Sequence, residues 1–206
     1  MSLKSQVLDL KNNCYACKEC PLGRKEVDGR DPHVFAGGFV KSRIFFIAEA
    51  PGADEVRLKR PLIGRAGKFF EAKVLGAANL KRSEVYITNS VLCRPSDRNR
   101  TPLPVEIEIC RVHLDAQICL LKPKLLVTMG NIALSSCCDI TGIVKNRGKL
   151  RLSREWSDGE RVPVFPIFHP SYCIRGLGLK EMAKDAEMIG NLHTFIHEGG
   201  VFTIEE

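Results

Sequence analysis

Four short apolar runs recur along the chain: RIFFIA from residue 43, EVYITNSVLC from 84, PKLLVTMG from 123 and VPVFPIFH from 162. Each is rich in β-branched or aromatic residues and ends at turn-forming residues, the pattern of a buried strand. Between them GKFFEAKVLGAANL, LPVEIEICRVHLDAQICLL and NIALSSC carry helical spacing, and LKEMAKDAEMIGNLHTFIHE repeats it near the C-terminus. Strand alternating with helix predicts βαβ units. The expected fold is therefore α/β: one three-layer domain over 1–206, with a central, mostly parallel sheet of about four strands flanked by helices. The first forty residues differ, with cysteines, glycines and basic residues but little periodicity. No internal repeat, low-complexity tract or linker interrupts the chain.

Three of the four strand ends carry a polar residue. Glu49 follows the first, Asn89 lies within the second, Gly130 follows the third and His169 follows the fourth. In open parallel sheets ligands bind at the carboxyl ends of strands. Taken singly, each polar residue reads as readily as a turn or cap. A glutamate, an asparagine and a histidine converging on one sheet edge point to an active site.

Composition narrows the class. The 206 residues suffice for a substantial core, and 44% hydrophobic with 27% charged residues is ordinary for a soluble globular protein. No apolar run approaches the roughly 20 residues a membrane span needs, and MSLKSQVLDLKNNC lacks a signal-peptide core, so a cytoplasmic protein is expected. The formal charge of +7 suits a polyanionic partner.

The nine cysteines say more, because an odd number in a reducing compartment favours metal binding or burial over disulfides. Cys119, Cys137, Cys138 and Cys173 lie in or beside apolar stretches, where free cysteine behaves as a small hydrophobe. Cys14 and Cys17 form a C-x-x-C pair, Cys93 ends a predicted strand and Cys110 lies in the next helix. Four thiolates fit zinc or an iron–sulfur cluster, and spacing alone does not separate the two. Cys20, followed by Pro21, extends the pair towards part of a ferredoxin-type run.

With these cysteines, the segments AEAPGADE, RPLIGRAGKFF, YITNSVLCRP, NRTPLPVEIEIC, KNRGKL and FPIFHPSY occur in an order that resembles the iron–sulfur uracil-DNA glycosylases, usually called family four. The resemblance spans nearly the whole chain, from Cys14 to about Lys184. It implies a monomeric DNA-repair enzyme of the prokaryotic cytoplasm, at the nucleoid, acting on uracil-containing DNA, single- or double-stranded. It also implies a structural [4Fe–4S] cluster on Cys14, Cys17, Cys93 and Cys110, with Cys20 spare. The cluster would tie the N-terminal segment to the loop carrying Arg94, Arg98 and Arg100, candidate phosphate contacts.

The chemistry assigns a use to each strand-end group. A glycosidic bond inside a stacked duplex is out of reach, so the nucleotide must be flipped into a pocket. His169 can donate to the uracil oxygen beside N1, and Asn89 can match O4 and N3–H, an edge that cytosine presents reversed. Glu49 can position the attacking water, and Gly52 beside Pro51 can bring backbone close to substrate. Glu55 resembles a family residue that crowds the base's 5-position, and on sequence alone it reads as a helix-start charge. HPSYCIRG is expected as a loop in which Ser171 contacts phosphate, Ile174 serves as wedge and Arg175 anchors the backbone.

Two positions depart from the family's pattern. Leu62 stands where phenylalanine normally stacks on the flipped uracil, and Ala48 stands where glycine is usual. Phe69 or Phe70 is a candidate to compensate for Leu62. An inactive iron–sulfur DNA-binding protein on the same scaffold is one alternative; a glycosylase preferring another deaminated base is a second.

Overall fold

A computed structural model describes residues 1–95 and 100–204. Six strands form one sheet: β1 (Gly37–Gly38), β2 (Ile44–Ala48), β3 (Tyr86–Asn89), β4 (Leu125–Met129), β5 (Arg151–Leu152) and β6 (Pro163–Ile167), in the order β1-β3-β2-β4-β6-β5. The four central strands are the four apolar runs and pair in parallel; β1 and β5 add antiparallel edges. Those edges lie outside the expected set because two residues carry no apolar period of their own. Pairing alone defines them: Gly38, at φ 107°, passes so close to β3 that a Cβ there would lie 2.0 Å from the Val85 carbonyl oxygen.

Every residue of β2, β3 and β4 is buried, as expected of strands covered on both faces. The pleat sorts them. Ile44, Phe46 and Ala48 pack with Phe70, Met129 and Ile189 on one side, whereas Phe45, Ile47 and Tyr86 pack with Leu114 and Trp156 on the other. The helix α9 (Leu179–His197) covers the first side, and α5 (Pro104–Leu121) with α6 (Asn131–Cys138) covers the second. Burying each such Phe or Ile contributes about 1.5–3 kcal/mol. None of the described helices is long and apolar enough to cross a membrane.

The N-terminal segment is more regular than its composition suggests. Leu3–Ala16 forms α1, started by the Ser2 side chain accepting the Ser5 N–H at 3.2 Å. Its weak periodicity has a physical reason: Cys14 is its one fully buried residue, so no broad apolar stripe was needed. A second, shorter helix, α2 (Pro21–Arg24), follows Cys20. Among the described residues there are also α3 (Ala53–Leu58), α4 (Arg65–Phe69, continuing into a π-helical turn at Phe70–Leu75), a 3₁₀ turn (Arg82–Glu84), α7 (Ile143–Asn146) and α8 (Pro170–Ile174).

Candidate active site

The carboxyl ends of β2, β3 and β6 open into one cleft of about 580 Å³, and Glu49, Asn89 and His169 all line it. Glu49 is the residue after β2, and Asn89 is the last residue of β3, in register with Ala48. His169 follows β6 by two residues. Gly130 makes room for it: at φ 88°, a Cβ on Gly130 would lie 3.1 Å from the Cβ of His169.

Asn89 is 2% exposed, and its side-chain nitrogen has no hydrogen-bond partner. Leaving such a donor unpaired costs about 1–3 kcal/mol, and Asn89 stands on the wall of the cleft. His169 caps α8, and its Nδ1 accepts the Ser171 N–H at 3.1 Å. An accepting Nδ1 leaves the proton on Nε2. Burial, and then the nearby Arg175, pushes the imidazole pKa down to about 4 against a smaller opposing pull from Glu55. The ring is therefore neutral at pH 7 and carries one donor. Burial also raises the pKa of the Glu49 carboxyl.

Glu55 is drawn into the architecture of the cleft wall. Its Oε1 accepts the N–H groups of Ile63 at 2.8 Å and Gly64 at 2.7 Å. Gly52, the N-cap of α3, is glycine for a local reason: a Cβ would lie 2.6 Å from Oε2 of Glu55. Leu62 lines the same cleft, 5% exposed and at φ 50°. Neither proposed substitute for its missing ring reaches the cleft. Phe70 is fully buried, edge-on to Phe46 at 4.9 Å, and Phe69 packs against the same core.

The HPSYCIRG segment is not the expected loop. His169 as cap and Pro170 at the first helical position start α8, because the proline's missing N–H and fixed φ suit that place. Ser171 and Arg175 line the cleft, but Ile174, at the end of the same helix, is not among the lining residues. Tyr172, to which sequence reasoning gave no role, does line it, with the Arg175 guanidinium 5.9 Å from its ring centre. Its place in FPIFHPSY was the available signal.

The arginines separate. Arg94 reaches the cleft and pairs with Asp28 at 3.2 Å. Arg100 grips the buried Glu106 with two hydrogen bonds, of 2.8 and 2.6 Å, and so braces the start of α5. Arg98 lies outside the described residues.

Cys14, Cys17, Cys20, Cys93 and Cys110 line a second, small void. Among the described residues no group of three or more His, Cys, Asp or Glu side chains is arranged to hold a metal ion as the side chains stand. The chemistry of the donor set nevertheless suits a cationic group. Burial first, with the neighbouring cysteines adding to it, holds the Cys14 and Cys93 thiols far above their ordinary pKa and Cys110 at about 12. Ionised together, these thiols need a compensating positive charge. The Leu92 N–H already points at the Cys110 sulfur, at 3.3 Å. His33, on the same void, is committed elsewhere: its ring nitrogens meet the Asp31 carboxylate and, at 3.0 Å, the Cys17 carbonyl oxygen.

The family model of the Uracil DNA glycosylase superfamily matches residues 36–191, a span that holds all three strand-end groups. A "Type-4 uracil-DNA glycosylase" of Thermotoga maritima is 36% identical over 186 residues, covering 89% of this chain and 91% of the relative. Proteins of the same name from Sulfurisphaera tokodaii, 34% identical over 85% of this chain and 79% of the relative, and from Archaeoglobus fulgidus, 32% identical over 89% and 92%, match along similar lengths. With a superfamily model matching 36–191 and relatives 32–36% identical over 85–89% of its length, the chain belongs to the uracil-DNA glycosylase superfamily, as one of its type-4 members.

Proposed function

We propose that this protein hydrolyses the C1′–N1 bond of deoxyuridine in DNA, releasing uracil and leaving an intact abasic strand. The observation that carries the reading is the unpartnered side-chain nitrogen of Asn89 sharing one cleft with a neutral, Nε2-protonated His169. Uracil offers O4 and N3–H to the amide, and its departing charge gathers on O2, within the reach of a donor such as His169 Nε2–H. As the bond breaks, its electron pair leaves with the base and positive charge grows on the sugar. Removing one preorganised donor to such an anion costs about 3–4 kcal/mol of barrier.

Water supplies the other half. Its oxygen bonds to C1′, and Glu49 takes the released proton, while the carboxylate charge favours the cationic sugar beforehand. A carboxyl whose pKa burial has raised is a better proton acceptor than a fully solvated one. The uracil anion then takes a proton from solvent, and Glu49 returns its own. No lysine stands at a motif position to form the Schiff base of a strand-cleaving lyase. Ser171, Arg175 and Arg94, which line the cleft, are the candidates for phosphate contact, and Ile174, which does not line it, for the wedge. An inactive DNA-binding scaffold would not need to keep Glu49, Asn89 and His169 together.

Cys14, Cys17, Cys93 and Cys110 are the residues that would hold a [4Fe–4S] cluster, with Cys20 as a fifth thiol on the same void. Such a cluster would supply positive iron to the buried thiolates and tie α1 to α5 and the segment after β3. Its contribution would be to the framework of the DNA-facing side.

Incubation with a uracil-containing oligonucleotide, followed by alkaline cleavage of abasic sites, tests the reading. Strand breaks only after alkali, and none with Asn89→Ala or His169→Ala, are expected. Intact strands after alkali with wild-type protein would overturn it, and a borohydride-trapped covalent adduct would overturn the monofunctional mechanism.

A further inference from the structure

Leu62 faces the cleft at φ 50°, a left-handed conformation that a branched side chain seldom adopts. Something outside the segment must hold it there. On one side, the Glu55 carboxylate takes the N–H groups of Ile63 and Gly64, as described. On the other, Arg82 reaches in from the single 3₁₀ turn before β3. Its Nη1 donates to the Leu62 carbonyl oxygen at 2.9 Å, and its Nη2 donates to the Pro61 carbonyl oxygen. The same guanidinium is held by Glu71, in the π-helical turn after α4, at 2.8 Å. Behind Leu62 the backbone of α4 passes so close that a Cβ on Gly67 would lie 2.0 Å from the Leu62 oxygen.

Residues 61–64 are thus gripped by opposite charges, carbonyls to Arg82 and N–H groups to Glu55. We infer that Arg82 is a positioning residue for the base-binding wall: its planar fork fixes the left-handed turn that presents Leu62 to the flipped base. The inference rests on reading the cleft as the uracil site. Arg82 itself is not among the cleft-lining residues, so it acts through Leu62. The geometry calls for a guanidinium, because two adjacent carbonyls and a carboxylate are bonded at once.

The test is a double-mutant cycle of Arg82→Ala and Leu62→Ala, read as kcat/KM on a single-stranded uracil oligonucleotide and as the inhibition constant of free uracil. Arg82→Ala alone should lower kcat/KM by about ten- to a hundredfold, the scale of a misplaced binding group, and weaken inhibition by uracil. In the Leu62→Ala background the same change should cost less than about threefold, because the wall it positions is already gone. Affinity for an oligonucleotide carrying an abasic site should be unchanged. Should Arg82→Ala not fold, Arg82→Lys keeps the charge without the fork and should show the same suppressed loss. A loss of equal size in both backgrounds, or no loss at all, overturns the inference alone. Wild-type protein that releases no uracil overturns the reading of the cleft, and the inference with it.

Discussion

The backbone N–H of Ser171 donates to Nδ1 of His169 at 3.1 Å, and that one bond decides where the imidazole proton sits. With Nδ1 accepting, Nε2–H is the free donor, and no second proton is needed for it to bind an oxyanion.

A pH profile follows. His169, with its pKa near 4, stays neutral through the physiological range, so kcat/KM should show no limb near the usual histidine value of about 6.5. Glu49 must be ionised to accept a proton, and burial raises its pKa. Activity should therefore fall as pH drops through a value above the ordinary carboxylate of about 4.3, and Glu49→Gln should abolish that limb along with most of the rate. The His169 shift also acts on stability. The unfolded chain takes up a proton from about pH 6.5 downward that the folded ring refuses until about 4. The contribution is fully present above about 6.5 and is lost as pH falls through that window, which urea melts across the range would show as a declining midpoint.

Asn89 should separate activity from stability. Asn89→Leu, close in shape, removes a buried donor that has no partner in the free protein. Relief of its desolvation penalty should leave the melting temperature unchanged or raise it. Uracil release should fall at least about a hundredfold, since a base edge built around hydrogen bonds would lose its match. Calorimetry with single-turnover kinetics checks both, and a marked drop in melting temperature would contradict the reserved-donor account.

Iron content distinguishes the cysteines. Purified protein should be brown and contain iron with acid-labile sulfide. Serine at Cys14, Cys17, Cys93 or Cys110 should remove both, whereas Cys20→Ser should retain them although Cys20 lines the same void. Colour lost in Cys20→Ser and kept in Cys93→Ser would reassign the ligands, and stoichiometric zinc in anaerobically prepared protein would replace the cluster altogether.

Leu62 is expected to limit base holding. Stacking on a nucleobase is worth about 1–3 kcal/mol, of which leucine recovers part by dispersion. With Phe70 locked against Phe46, and Phe69 packed against the core and not lining the cleft, no ring of that pair competes for the position. Leu62→Phe should raise kcat/KM on uracil DNA by up to about tenfold, and Leu62→Ala should lower it. A fall with Leu62→Phe would show that the 5%-exposed site is already full.

Much of this protein was legible in the chain itself. Four apolar runs became the four central parallel strands, and the polar residues at or just beyond three of their ends, Glu49, Asn89 and His169, came together in one cleft. Strand identity is carried by local side-chain period, and a parallel sheet necessarily brings its carboxyl ends to one edge. The motif cysteines likewise met at one void. The tertiary structure decided the partners. Nothing local says that Arg100 serves the buried Glu106, that Glu55 braces residues 63–64, or that Arg82 holds the carbonyls of Pro61 and Leu62 across twenty residues of sequence. Nor does local pattern show that α1 needs only Cys14 to be fully buried, that two glycines can form an edge strand, or that His169 caps a helix where a loop was expected. Hydrogen bonds and ion pairs of this kind depend on distances set by packing between remote segments. Periodicity encodes which face of an element is buried, but not which charge will be waiting on the other side.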